Sequence, residues 1–225
     1  MSIKPTVLLA AASLAALLSS CNLQPSGASL AAYQAYDLPT KLPTQPNNVR
    51  VKVSLSKQRV YVMEGSTMLL AMPVSVGIPG GPAATPTGSY TIFNKEAKHR
   101  ASTHGYAYSG NKVTQTYLDK KPSGWAFKGT PMPYWCEFKP NYGFHTGWVK
   151  HQPCTHGCIR MRENLAPKFF RLVKVGTPVN ISDSQPEDAT VTIKLSPDAG
   201  PLDDYAGSMY VGDGYFSQHK APSFN

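Results

Sequence analysis

Val49, Val51, Val53 and Leu55 alternate strictly with Arg50, Lys52 and Ser54, the period-two pattern of a half-buried strand. Arg59–Met63 predicts a second short strand, which Glu64-Gly65-Ser66 turns into a third over Met68–Val76. The stretch from Gly77 to Gly88 is rich in glycine and proline and reads as turns, after which Ser89–Phe93 resumes as a strand. From Glu96 to Pro133 the chain is polar, aromatic and irregular, with a few short strands at best. A section of that length inside a domain is usually functional, and it reads as a flap or substrate-binding insertion. Asn164–Val173 is the clearest helix: Asn164 can cap it, Pro167 is tolerated in its first turn, and Leu165, Phe169, Leu172 and Val173 share one face. Gly176-Thr177-Pro178 ends it, Val179–Ile181 starts another strand, and Val191, Ile193 and Leu195 alternate as one further strand. Beyond Pro197 no period survives, and the tail past Gly207 reads as disordered rather than as an ordered lid. The pattern predicts a mainly β fold of mixed sheets with one principal helix.

Composition narrows the class. With 225 residues, 41% hydrophobic and 16% charged, the chain holds one globular domain with appendages and is neither wholly disordered nor a coiled coil. Twenty prolines and eighteen glycines argue against an all-helical bundle. The formal charge of +9 is unevenly spread: residues 50–182 hold eighteen Lys/Arg against five Asp/Glu, whereas 183–225 hold two against seven. A basic body fits an acidic partner, but its cations are scattered rather than gathered in a run or stripe, so nucleic acid is not the expected one.

The N-terminus carries an export signal: Lys4, then a thirteen-residue apolar run from Thr6 to Leu18 that is too short to span a membrane comfortably. Leu18-Ser19-Ser20-Cys21 resembles a bacterial lipobox, in which Cys21 is lipidated and becomes the first mature residue. Acyl chains there give stable anchoring, at about 0.8 kcal/mol per buried CH₂. Asn22 in place of aspartate favours the outer membrane in a Gram-negative cell. The organisation read from the sequence is a signal peptide over 1–20, a lipidated cysteine and flexible tether over 21–48, a globular domain over 49–182 and an acidic tail over 183–225.

The chemistry concentrates between Gly143-Phe144-His145-Thr146-Gly147 and Cys154-Thr155-His156-Gly157-Cys158-Ile159-Arg160. A thiol near an imidazole is what nucleophilic acyl transfer needs: the thiolate attacks, and the imidazole takes the proton and returns it to the leaving amine. Gly157 permits a tight turn, around which the N–H groups of Gly157 and Cys158 can face a developing oxyanion. A metal site is the competing reading, since His145, His151, Cys154, His156 and Cys158 fall within fourteen residues, but no C-x₂-C or H-E-x-x-H spacing supports it. A third reading makes Cys154 and Cys158 a structural disulfide. With Cys21 lipidated, three cysteines remain, which in an exported protein implies one disulfide and one free thiol.

Thr155-His156-Gly157-Cys158-Ile159-Arg160 with the upstream His145-Thr146-Gly147 resembles the signature of the L,D-transpeptidase catalytic domain family, the YkuD-like proteins. Val53–Val62 is similar to that family's first hairpin, Thr85-Pro86-Thr87-Gly88 to its strand entry and Gly176-Thr177-Pro178-Val179 to its closing strand. The resemblance implies a mixed β-sheet sandwich with its helix after the cysteine loop. It makes Cys158 the nucleophile, His145 the general base and acid, and the Thr146 carbonyl the group that orients the imidazole. Thr155, His156 and Gly157 then shape the nucleophile turn, and Arg160 faces a substrate carboxylate, with a structural salt bridge as its alternative role. Two departures stand out: a spacer of only nine residues between His145 and Thr155, and cysteine at position 154. Pairing of Cys136 with Cys154 leaves Cys158 free, whereas pairing of Cys154 with Cys158 switches the site off. The implied partners are peptidoglycan stem peptides, and the membrane through the anchor. The chain is expected to act as a monomer in the periplasm-facing envelope, without metal or organic cofactor, and to be acylated by carbapenems. The readings from other classes are a non-catalytic wall-binding lipoprotein and a metal-binding one.

Overall fold

The structure, a computed structural model, describes residues 30–195 and 205–218. The export signal, Cys21 and the first part of the expected tether lie outside the described residues. In chain order the elements are α1 (Leu30–Ala35), β1 (Val49–Ser54), β2 (Arg59–Glu64), β3 (Thr67–Pro73), β4 (Gly88–Thr91), β5 (Asn94–Ser109), β6 (Lys112–Tyr117), β7 (Ala126–Lys139), β8 (Tyr142–Thr146), β9 (Ile159–Met161), α2 (Leu165–Leu172), β10 (Pro178–Ser182), α3 (Gly207–Val211) and α4 (Gly214–Ser217).

Among the described residues ten strands form two five-stranded sheets, ordered β3-β2-β1-β10-β4 and β6-β5-β7-β8-β9. Both are mixed: β1 runs parallel to β10 and β8 parallel to β9, while the remaining neighbours are antiparallel. Alternation sends Val49, Val51 and Val53 of the first sheet and Cys136, Phe138 and Phe144 of the second into one shared core. Helix α2 adds Leu165, Phe169 and Leu172 to that core, and the rings of Phe144 and Phe169 meet at 4.7 Å. The mainly β, two-sheet architecture with one principal helix after the cysteine loop is the fold class read from the sequence.

Five local expectations are corrected. Residues 96–133 are not irregular. They belong mostly to β5, sixteen residues long, to β7, fourteen residues long, and to β6 beside β5. One face of this arm lines a polar cavity and the other meets solvent, so no apolar period marks it in the sequence. The tail is folded where described: Tyr210 and Tyr215 are 6% and 3% exposed and help wall the cavity. Arg100 Nη1 donates to the carbonyl of Tyr210 at 2.8 Å and Nη2 to that of Gly212 at 2.6 Å, while the Tyr106 and Tyr210 rings stack at 4.8 Å. Val191–Leu195 forms no strand; Ile193 packs instead against Tyr61 and Met63 of β2.

The second half of the expected tether is docked. Tyr33 is 2% exposed, lies 3.8 Å beneath the Arg162 guanidinium and donates its hydroxyl to the Gly147 carbonyl at 3.1 Å. Asp37 pairs with Lys168 at 2.7 Å, and Tyr36 and Leu38 pack on the core. The average composition of this stretch is that of a linker, but a few aromatic and apolar side chains decide its fate. Asn164 stands at the start of α2 without capping it, and its amide reaches the carbonyls of Gln34 and Tyr36 instead.

Candidate active site

Strands β8 and β9 lie side by side with His145 opposite Arg160. Phe144, Ile159 and Met161 point into the core, so Gly143 and His145 on β8, with Cys158 and Arg160 at β9, face the other side of the sheet. There Trp135, His145, Cys158 and Arg160 line a cavity of about 710 Å³. The far side of the cysteine segment is fixed to the chain that leaves β3. Ser75 and Arg160 exchange backbone bonds at 3.1 and 2.9 Å, and Thr155 N donates to Val76 O at 3.1 Å.

The turn before Cys158 is closed by two threonines. Thr155 Oγ1 donates to the Cys158 carbonyl at 2.6 Å and accepts from Gly157 N at 3.1 Å. Thr85 Oγ1 donates to the Gly157 carbonyl at 2.9 Å and accepts from Gly77 N at 2.8 Å. Gly157 has φ of +112°, and a Cβ there would lie 2.4 Å from the Tyr142 ring, so both backbone and space require glycine. Its N–H is engaged by Thr155, which removes Gly157 from the expected pair of oxyanion donors. His156 is exposed, its ring 6.4 Å from that of His104 on the cavity wall.

His145 is 8% exposed and its Nδ1 lies 2.8 Å from the Thr146 carbonyl. A carbonyl only accepts, so Nδ1 carries the hydrogen and Nε2 of the neutral ring keeps its lone pair. Burial first, and then the Arg160 guanidinium, push the imidazole down to about 3, against the Thr146 carbonyl, which favours the cation. The Cys158 sulfur lies 3.7 Å from the Asn141 carbonyl, to which it donates. Burial raises this thiol, opposed by the N–H of Gly143 and the charge of Arg160. The resting pair is therefore a neutral thiol and a neutral imidazole. Thr146 Oγ1 is buried at the cavity wall with no hydrogen-bond partner among the described residues.

Arg160 directs Nη1 to the Cys154 sulfur at 3.9 Å and forms no ion pair among the described residues, which removes the structural salt bridge as its role. The Cys136–Cys154 disulfide is absent: Cys136, Cys154 and Cys158 are all free. Strand alternation gives the reason, because Trp135 takes the cavity face of β7 and its neighbour Cys136 is turned into the core, wholly buried. Cys154 and Cys158 are unpaired as well, so the alternative bridge is also not formed. Among the described residues no three of His, Cys, Asp and Glu converge as metal ligands.

Several cavity residues escaped the sequence reading. Trp135 lies over Gly143, where a Cβ would meet its indole at 2.6 Å, and His99 stacks on Trp135 at 4.6 Å. Glu137, Asn141, Tyr210 and Tyr215 also line the space. The signal available for Trp135 was a bulky aromatic facing a glycine on the adjacent strand.

A thiol and an imidazole on adjacent parallel strands, held by Ser/Thr-His-Gly-Cys, are the features by which the chain joins a family. It belongs to YkuD, the L,D-transpeptidase catalytic domain family, whose model matches residues 48–181. No curated protein matches it. Among solved structures it is similar to the L,D-transpeptidase (Yku) from Stackebrandtia nassauensis, at 21% identity over 69% of this chain and 65% of that one, TM-score 0.45. It is also similar to an L,D-transpeptidase from Xylanimonas cellulosilytica, at 18% identity over 65% of each chain, TM-score 0.46. For L,D-transpeptidase 1 of Mycobacterium tuberculosis the figures are 20% identity, 60% of this chain, 61% of that one and TM-score 0.41. The chain spans less than two thirds of the length of each of these neighbours.

Proposed function

We propose that the protein is a cysteine L,D-transpeptidase that acts on peptidoglycan stem peptides from a lipid anchor at Cys21 on the periplasmic face of the envelope. The observation that carries this reading is the shared cavity of His145 and Cys158, with Nδ1 of His145 tied to the Thr146 carbonyl and Nε2 left as the base. The thiol proton passes to Nε2 as sulfur attacks the carbonyl that links the L-centre of a diamino acid to terminal D-Ala. The imidazolium then protonates the departing D-Ala amine, leaving a thioester on Cys158. Because both groups rest neutral, the ion pair forms only as attack proceeds. Arg160, on the cavity wall without a carboxylate of its own, is suited to a stem carboxylate. Transfer of the acyl group to an amine completes the cycle as a 3→3 crosslink or a protein attachment, and water in its place gives carboxypeptidase activity. A thiol and an imidazole suffice for these steps.

Mass spectrometry of the protein with disaccharide-tetrapeptide, beside Cys158→Ala, tests the reading. Loss of D-Ala with a crosslinked product, both absent from the variant, is the expected result. An unchanged substrate mass with Cys158 shown reduced would overturn it in favour of a wall-binding protein that does no chemistry.

A further inference from the structure

Among the described residues that line the cavity, Arg160 is a cation without an ion pair, Arg100 is engaged by the Tyr210 and Gly212 carbonyls and by Asp213, and Glu137 is the only carboxylate. A donor stem with its carboxylates suits such a wall. The second substrate of the reaction proposed above is different, because a side-chain amine arrives as an ammonium ion, for which the lining offers one carboxylate.

Glu137 is fixed in place. Its Oε1 accepts from the backbone N–H of Asn141 at 3.0 Å, and its Oε2 accepts from Asn94 Nδ2 at 3.3 Å and from Trp135 Nε1 at 3.4 Å. All three donors are neutral and no ion pair is formed with it among the described residues, so its charge is oriented without being cancelled. Asn141, which Glu137 holds, has φ of +66° and offers the carbonyl that receives the Cys158 thiol. The carboxylate and the sulfur are thus attached to the same β7–β8 turn, and the charge of Glu137 is felt at Cys158.

We infer that Glu137 is the acceptor-side residue of the site: it binds the ammonium group of the incoming amine and sets a preference for cationic acyl acceptors over uncharged ones. The inference rests on the transpeptidase reading and adds the acceptor's chemistry to it. In the step it serves, the nitrogen–carbon bond forms and the carbon–sulfur bond of the thioester breaks. The ammonium gives up two protons, one released to solvent before attack and one carried by His145 to the departing Cys158 sulfur, so that an amide and a free thiol result. Glu137 takes no part in bond making.

The test uses the full chain and Glu137→Gln, which keeps an oxygen for the short bond from Asn141 and alters only the two longer contacts. Three rates are read: D-Ala release in a single turnover with a tetrapeptide donor, consumption of the acyl-enzyme by a diamino-acid stem peptide, and its consumption by hydroxylamine, which is uncharged near neutral pH. Removing the charge changes Cys158 in every step, so the reading is the ratio: kcat/KM for the stem-peptide amine should fall about tenfold further than D-Ala release and hydroxylaminolysis, which move together. A parallel fall in all three rates would make Glu137 a support for the cysteine turn, and no change in any would remove it from acceptor binding. Either result overturns the inference while leaving the transpeptidase reading intact. Absence of D-Ala release from the unaltered protein would overturn both. If Glu137→Gln does not fold, the unaltered protein decides: added salt should slow attack by the stem amine and spare hydroxylamine, and equal slowing, or none, rejects the inference.

Discussion

A methyl group at position 157 has no room. Tyr142 occupies the space and the backbone sits at φ +112°, so Gly157→Ala must shift the turn that ends at Cys158. A displacement there of about 1 Å is enough to cost on the order of a hundredfold in rate. The expected outcome is a loss of at least that size in D-Ala release from a tetrapeptide donor with a folded variant, read by mass spectrometry and circular dichroism. His145 carries a second prediction. Its imidazole is lowered from 6.5 to about 3 by burial and by Arg160, so on acidification the unfolded chain binds a proton that the folded chain refuses. Its contribution is complete above the ordinary value and is lost as pH falls through the window toward about 3, a loss on the order of a few kcal/mol. His104, also lowered, contributes in the same direction. Urea midpoints between about pH 4 and 7 should fall with acid, and His145→Gln should flatten that slope.

Among the elements, legibility followed burial. β1 and β10 bury one apolar face each, β2 and β3 bury both, and β1 and the helix were readable because their periods of 2 and 3.6 coincide with what they bury. β5 and the first half of β7 were not, since one face meets a polar cavity and the other water, and only the end of β7 turns Cys136 and Phe138 into the core. The cysteine segment was readable because its chemistry is local in sequence. Its companions Trp135, Glu137 and Asn141 come from another strand and turn, and only pairing of β7 with β8 brings them to the same place. The disulfide expectation failed for the same reason, since the facing of Cys136 is a property of the strand rather than of the cysteine count. A measurement at this scale is thiol labelling. Cys154 and Cys158 should react in the native protein, whereas Cys136, wholly buried and pushed up to about 12, should react only after denaturation. Rapid native labelling of Cys136 would contradict the placement of β7.

At the scale of the whole molecule, the two ends of the described chain meet. Tyr205 donates to Glu163 at 2.8 Å, Gln34 Nε2 donates to the Tyr205 hydroxyl at 3.0 Å, and Trp148 lies between Tyr33 and Tyr205 with ring separations of 4.9 and 5.6 Å. This clasp covers the loop that follows His145 and, through Tyr210 and Tyr215, closes one wall of the cavity. A fragment limited to 48–182 should therefore be less stable than residues 30–218 by about 3 kcal/mol or more, because it strips Asp37 from the nearly buried Lys168 and uncovers Arg162. Denaturant titration of the two fragments gives the comparison.

The clasp also separates two meanings of a domain boundary. The family model matches residues 48–181, yet the socket that Tyr33 fills and the aromatic wall that Tyr210 and Tyr215 supply are packed into the same body. The matched residues hold the thiol, the imidazole and the turn between them, and the flanking segments outside that match finish the wall of the cavity. Substitution of Tyr210 or Tyr215 would therefore reshape the cavity while leaving the thiol, the imidazole and the turn between them in place.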